Sequence, residues 1–247
     1  MTAEPDRLFH VSDVHFGVED VRAHAAFADA VRAERPDAVI CTGDITQRAT
    51  HAQFAAAADY FRALDVPVML FPGNHDMPYY NPIERFCTPY ARCNRLEAAV
   101  SARLALRHAV IVPLDTNAAA QWRWPWSDGV VKRAKLAAAL DKLEALRGDA
   151  RLKLVACHHP LLPARDGKKN PTIRGDEAFA ALAGAGAQVV LSGHVHVPFD
   201  QLRERAGHTM RMIGAGTLST RLRGAPPSYN VLTIGENGIA LERRDLA

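Results

Sequence analysis

Long uninterrupted apolar runs are missing from this 247-residue chain, although 48% of it is hydrophobic. Nothing approaches the roughly 20 apolar residues that a membrane-spanning helix needs, and the Ala-rich stretches at 54–58 and 179–187 read as helix packing faces. The opening Met1-Thr2-Ala3-Glu4-Pro5-Asp6-Arg7 is polar and acidic, without an apolar core behind a basic start, so no secretion is expected. Lys and Arg form no run; 30 basic against 27 acidic residues give a net charge of +3, which predicts no dedicated nucleic-acid groove. The one basic pair, Lys168-Lys169, reads as a solvated loop. Cysteine is scarce. Cys41 and Cys157 sit in apolar strands, where a thiol behaves as a small hydrophobe, and Cys87 and Cys93 are spaced to bridge a loop. A disulfide framework is not expected in such a chain, and a reducing cytoplasm is the expected compartment. Internal repeats and low-complexity linkers are also missing.

What is present is a series of short apolar runs, each followed by metal-ligating side chains. Residues 8–11 precede Asp13-Val14-His15, 38–41 precede Gly43-Asp44, and 68–71 precede Gly73-Asn74-His75-Asp76. Residues 152–156 precede Cys157-His158-His159-Pro160, and 189–191 precede Gly193-His194-Val195-His196. Helical periodicity over 21–34, 52–64, 130–146 and 176–185 alternates with these runs and with a further strand at 106–114. Such βαβ alternation builds a largely parallel sheet, and ligands gather at its carboxyl edge. A domain boundary anywhere between residues 13 and 196 would divide that site, so one domain over 1–247 is expected.

Beyond His196 the runs at 199–204, 209–213, 228–234 and 239–244 are short and separated by Gly and Pro, with Gly235-Glu236-Asn237-Gly238 as a hairpin turn. They predict that 197–244 is mainly the strands of a second, antiparallel sheet packed on the first. Segment 77–95 holds three prolines and the aromatic residues Tyr79, Tyr80, Phe86 and Tyr90. It reads either as a packed loop with helical turns or as a lid or pocket wall, since binding residues favour loops on a rigid scaffold.

Imidazole, carboxylate and amide donors gathered together suit Mn, Fe, Zn, Co or Ni, whereas Mg and Ca prefer pure oxygen shells. Two cations sharing one carboxylate, about 3.5–4 Å apart, can clamp both the attacking and leaving oxygens of a phosphoryl displacement. Taken singly, Asp-x-His or Gly-Asp carries little information; the ordered set, each member at a strand end, carries much more. That set resembles the calcineurin-like metallophosphoesterases, the group that includes purple acid phosphatases and class III cyclic nucleotide phosphodiesterases, over nearly the whole chain.

The resemblance implies a four-layer α/β/β/α sandwich of two mixed sheets flanked by helices. It also implies two divalent or trivalent metal ions, one held by Asp13, His15, Asp44 and His196, the other by Asp44, Asn74, His158 and His194, with Asp44 bridging. Pro160 sets the register that makes His158 the ligand and leaves His159 as a spare imidazole at the pocket rim. The expected activity is phosphodiester hydrolysis by in-line attack of a metal-held hydroxide, His75 assisting the leaving group and Asp76 either orienting that imidazole or capping local amides. A phosphomonoesterase of broad specificity, or a non-catalytic metal-binding scaffold of the same fold, is the alternative. Small bacterial phosphodiesterases of the cyclic nucleotide type are the most similar members. His75 separates the chain from the UDP-sugar lipid pyrophosphatases, which usually carry arginine there.

Substrate contacts are expected from Tyr79 and Asn81, from His159, and from Arg221 or Arg223, whose guanidinium suits a phosphate oxygen. The alternative for the arginines is a surface loop. Trp122, Trp124 and Trp126 crowd one loop, either as an interface that would make a homodimer or as a wall for a nucleotide-like group. His10, His24, His51, His108 and His208 read as structural or solvated.

Overall fold

A computed structural model describes residues 4–100, 104–122, 124–125, 127–164 and 172–246; Lys168, Lys169 and Trp126 lie outside the described residues. In chain order the elements are β1 (Asp6–Val11), α1 (Val21–Glu34), β2 (Ala38–Cys41), α2 (His51–Ala63), β3 (Val68–Leu70), α3 (Pro82–Cys87), α4 (Ala91–Val100) and β4 (Ala109–Pro113). There follow β5 (Gly129–Val130), α5 (Arg133–Ala145), β6 (Leu152–Ala156), β7 (Thr172–Ile173), α6 (Gly175–Gly184) and β8 (Val189–Ser192). The last four strands are β9 (Phe199–Arg205), β10 (His208–Gly214), β11 (Ser228–Gly235) and β12 (Gly238–Asp245).

Strand alternation explains the layers. Along β1, Leu8 points into one core with Ala38, Ile40, Leu154, Ala156, Leu191 and Leu232, the side chains that close the two sheets on each other. Phe9 and Val11 point the other way, onto Phe27 and Val31 of α1 and Phe54 and Phe61 of α2. On the far side Val155, Val190 and Met212 meet Leu136 and Leu143 of α5 and Phe179 of α6. The result is helices, sheet, sheet, helices, as expected from the sequence.

The division of strands differs from the expectation. One five-stranded sheet has the order β12-β11-β1-β2-β3 and the other β4-β6-β8-β10-β9. The parallel strands are thus shared between two sheets, and segment 197–244 forms no separate sheet. Instead β11 and β12 add antiparallel strands to the first sheet, while β10 runs parallel to β8 and β9 antiparallel to β10. The reason lies in burial. β1, β2 and β8 are covered on both faces, so an all-apolar run does not reveal which neighbour it pairs with. β9 alternates between half-buried and exposed residues and β12 mixes the two with no buried position, as befits sheet edges.

Segment 77–95 is more helical than expected. Asn81 caps α3 by accepting a hydrogen bond from the Glu84 backbone N–H at 3.0 Å, and Pro82 sits at the helix start, where its missing N–H is harmless. α4 carries Cys93 and Leu96 into the core beneath α2. All four cysteines are free, and Cys87 is exposed while Cys93 is buried, so no bridge joins them.

Candidate metal centre

Every ligand motif follows the carboxyl end of its strand, and the loops of the two packed sheets meet there. β1 delivers Asp13 and His15, β2 Asp44, β3 Asn74 and His75, β6 His158, and β8 His194 and His196. The loops turn sharply. Asp13, His15, Asp44, His194 and His196 all adopt left-handed backbone conformations, with φ of 53°, 46°, 51°, 68° and 59°. Each such residue costs about 1–2 kcal/mol without the freedom of glycine, and strain of this kind concentrates at functional sites.

Hydrogen bonds hold the strained loops in place. The Asp13 and His15 amides donate to the carbonyls of Gly43 and Asp44 at 2.9 and 3.0 Å, locking the β1 and β2 loops together. Thr217 donates its hydroxyl to the Asp13 carbonyl at 2.6 Å, and His24 Nε2 donates to the Val14 carbonyl at 3.1 Å. His24 is therefore structural, but its partner lies between two of the expected ligands.

The ring nitrogens are oriented from behind. His158 Nδ1 donates to the Thr42 carbonyl at 2.8 Å and His196 Nδ1 to the Arg221 carbonyl at 2.6 Å, so each ring presents Nε2 to the site. His196 Nε2 lies 3.0 Å from Asp13 Oδ1, and His15 Nε2 lies 3.7 Å from both Asp13 Oδ1 and Asp44 Oδ2. His158 Nε2 lies 3.4 Å from Asp44 Oδ1. Three sets of donor atoms gather within 4.8 Å: Asp13, His15 and His196; Asp13, Asp44 and His158; and His158, His159 and His194. Asn74 borders the same cavity of about 210 Å³ as Asp44, His75, His194 and His196.

These residues fit cations. Asn74 Oδ1 is buried without a hydrogen-bond partner, and Asp13 Oδ1 and His158 Nε2 approach His196 and Asp44 without forming a well-aligned hydrogen bond, which is costly for buried polar atoms unless a ligand completes them. Burial opposes charge on His158, yet the Asp44 carboxylate outweighs it and lifts the imidazole to about 9. The attraction that holds a proton there is the one a cation would feel. Burial also opposes ionisation of Asp13, but His196 and His158 keep its carboxyl below the usual range. Burial pushes His194 down to about 3 and His15 to about 4, leaving neutral imidazoles with free lone pairs. Thiolates take no part, since burial raises the Cys157 thiol to about 12 and that of Cys41 higher still.

His75 stands at the cavity wall. Its Nδ1–H donates to the Gln47 carbonyl at 2.9 Å, which turns Nε2 inward, and Tyr79 stacks against the ring with centroids 6.0 Å apart. Asp76 does not touch the imidazole. Its carboxylate accepts from the backbone N–H groups of Thr46 (2.8 Å), Gly73 (2.9 Å) and Ile45 (3.1 Å) and from the Thr46 hydroxyl (2.9 Å). Of the two readings of Asp76, capping of local amides is the one observed; Gln47, three residues beyond Asp44, orients His75 instead. The glutamine follows no motif, which hid it in the sequence.

The expected substrate residues divide. Arg221 and Arg223 line the cavity, together with Ser127, which sequence reasoning missed because it follows the tryptophan loop without a motif of its own. Tyr79 does not line the cavity but packs on His75, with the guanidinium of Arg48 4.8 Å from its ring centre. Asn81 is exposed and engaged as the α3 cap. His159 is not at the rim: it is fully buried, with Nδ1 accepting from Thr116 Oγ1 and Nε2 donating to the Ser127 carbonyl, both at 3.0 Å. Filling the pocket behind His158, it holds the Ser127 loop against the site. Trp122 and Trp124 are largely exposed.

Two facing mixed sheets that deliver histidine, aspartate and asparagine ligands from opposed strand ends define a metal-dependent phosphatase fold. The family model for calcineurin-like phosphoesterases matches residues 6–198, and the chain belongs to that family. A glycerophosphodiester phosphodiesterase of Enterobacter lignolyticus is 28% identical over 188 residues, 66% of this chain and 60% of the relative, so the match spans less than two thirds of that protein. Among solved structures, a dimetal phosphatase from Danio rerio superposes with a TM-score of 0.72 at 15% identity, covering 99% of this chain and 98% of the other. The purple acid phosphatase of yellow lupin gives a TM-score of 0.65 at 11% identity, covering 98% of this chain and 52% of its own. These two likenesses concern the fold.

Proposed function

We propose that this protein is a dinuclear-metal phosphodiesterase acting on small phosphodiesters. The observation that carries the reading is the placement of His75 Nε2, free of the metal-ligand set and turned by Gln47 into the cavity that the ligands share. When bound, two cations would supply charge neutralisation at the phosphoryl oxygens and acidify a water to act as nucleophile. Asp44, poised between His15 and His158, is the carboxylate placed to serve both ions. His75 addresses the leaving oxygen, while Arg221 and Arg223 line the cavity that would receive the ester and Asp76 braces the loops that carry Asp44 and Asn74. Glycerophosphodiesters, named for the Enterobacter relative, are one substrate class; a nucleotide-like arm stacked on Trp122 or Trp124 is the other. The free cysteines agree with a reducing, cytoplasmic setting.

The test is turnover of bis-p-nitrophenyl phosphate against p-nitrophenyl phosphate by the Mn²⁺-loaded protein, with His75→Ala alongside. The proposal expects a diester preference and a loss of about 10²–10⁴-fold in the variant, with metal content unchanged. A monoester preference would redirect the assignment to a broad phosphatase. Two bound metals without any turnover would leave a scaffold.

A further inference from the structure

The segment after β10 lies beyond residues 6–198, where the family match ends, yet it enters the site at three points. Thr217 bonds the Asp13 carbonyl, the Arg221 carbonyl holds His196, and the Arg221 guanidinium reaches the cavity. Its Nη1 lies 3.2 Å from His75 Nε2 and 3.3 Å from both His15 Nε2 and Gln47 Oε1. A guanidinium cannot share the lone pair of His15 with a metal ion, so with metal bound Gln47 Oε1 would be its anchor, beside a His75 Nε2 that turns to the leaving oxygen. Gln47 thereby fixes two partners, the imidazole through its main chain and the guanidinium through its side chain. Arg223 lines the same cavity beside His194.

We infer that Arg221 is a second catalytic residue, which works beside His75 on the departing ester oxygen, whereas Arg223 serves the phosphoryl oxygens. The inference rests on the phosphodiesterase reading. A diester carries a single negative charge, which a loaded metal centre and Arg223 would meet in the ground state. Charge on the leaving oxygen appears only as its bond to phosphorus breaks, so a cation placed there accelerates turnover rather than tightening binding. Water supplies the hydroxyl that bonds to phosphorus and the proton that ends on the leaving oxygen. The P–O bond to the leaving arm breaks with its electron pair on that oxygen. Arg221 gives a hydrogen bond and keeps its own proton, as a guanidinium must at any working pH.

The test is the dependence of kcat on leaving group for wild type, Arg221→Met, Arg221→Lys and His75→Ala, using Mn²⁺-loaded protein and diesters from bis-p-nitrophenyl to dialkyl. Every Arg221 variant keeps the main-chain carbonyl that orients His196, and metal content confirms an intact centre. Arg221→Met should lose about 10²–10³-fold on alkyl esters and far less on nitrophenyl esters, whose leaving oxygen needs little help. KM should change little, and Arg221→Lys should recover part of the alkyl-ester rate. Inorganic phosphate, which has no leaving arm, should bind Arg221→Met as it binds wild type and Arg223→Met more weakly. A uniform loss across the series, a raised KM, or weakened phosphate binding in Arg221→Met would overturn the inference and make Arg221 a phosphate anchor, with the phosphodiesterase reading intact. A wild type that holds two metals but turns over no diester would instead remove that reading, and the inference with it.

Discussion

Four donors converge on the Asp76 carboxylate, and the neighbouring imidazole is not among them. Burial, joined by the charge of Asp44, pushes its carboxyl up to about 7, against the three backbone N–H groups that favour the ionised form. Asp76→Ala leaves those donors buried without an acceptor and should destabilise the protein by about 3 kcal/mol or more, read as a lowered urea midpoint. Full stability with lost turnover would show that the residue serves the imidazole after all. His10 gives a pH effect of defined sign. Burial pushes its imidazole down to about 3, against the pull of Asp13. The folded protein therefore refuses a proton that the unfolded chain accepts below about 6.5, so stability falls by about 1.4 kcal/mol per unit as pH drops from 6.5 towards 3. His10→Gln, still able to bond Thr42 Oγ1 and Asn230, should show a shallower decline; parallel urea midpoints across that window would contradict the account. At this scale the strand-end motifs marked the residues that converge on the cavity. They did not reveal Gln47, Ser127 or the burial of His159, because each depends on which loop folds against it.

Among the elements, the four helices with an apolar period were legible, whereas α3 and α4 were not. Val21–Glu34 follows directly from its apolar period, with Asp20 as cap, and Thr50 with Gln53 forms a capping box at the start of α2. Strand positions were also close, since apolar runs bounded by Gly and Pro mark them. Strand partners were not, because runs buried on both faces fit several neighbours equally well. The joint between the β2 and β3 loops shows what the pairing achieves. Gly43 has φ of 104°, and a methyl group on Gly73 would stand 2.2 Å from both the amide nitrogen and Oδ1 of Asp44. Gly73→Ala must push apart the loops that carry Asp44 and Asn74, and metal affinity should fall about 10–100-fold while the helical layers persist. Calorimetric metal titration beside circular dichroism checks this, and unchanged affinity would mean that the loops need not touch.

At the scale of the whole molecule, the site exists because the two sheets face each other. Asp13, His15, Asp44 and Asn74 come from one sheet and His158, His194 and His196 from the other, so neither half holds a complete set. A pair of ions bound between them would link the sheets, and chelation should lower the melting temperature by an amount that grows with the logarithm of free metal over Kd. The convergence itself was legible, since parallel strands gather their following loops at one edge. Its division across two sheets was not, because long-range pairing leaves no local mark. Among the described residues, Asp44 is the one carboxylate within 4 Å of both His15 and His158. The most direct measurement is the Mn²⁺ stoichiometry and affinity of wild type and Asp44→Asn by isothermal titration. The account predicts two ions per wild-type chain and weakened binding of both in the variant. Two ions bound by Asp44→Asn at wild-type affinity, or a single ion in wild type, would contradict a bridged dinuclear centre.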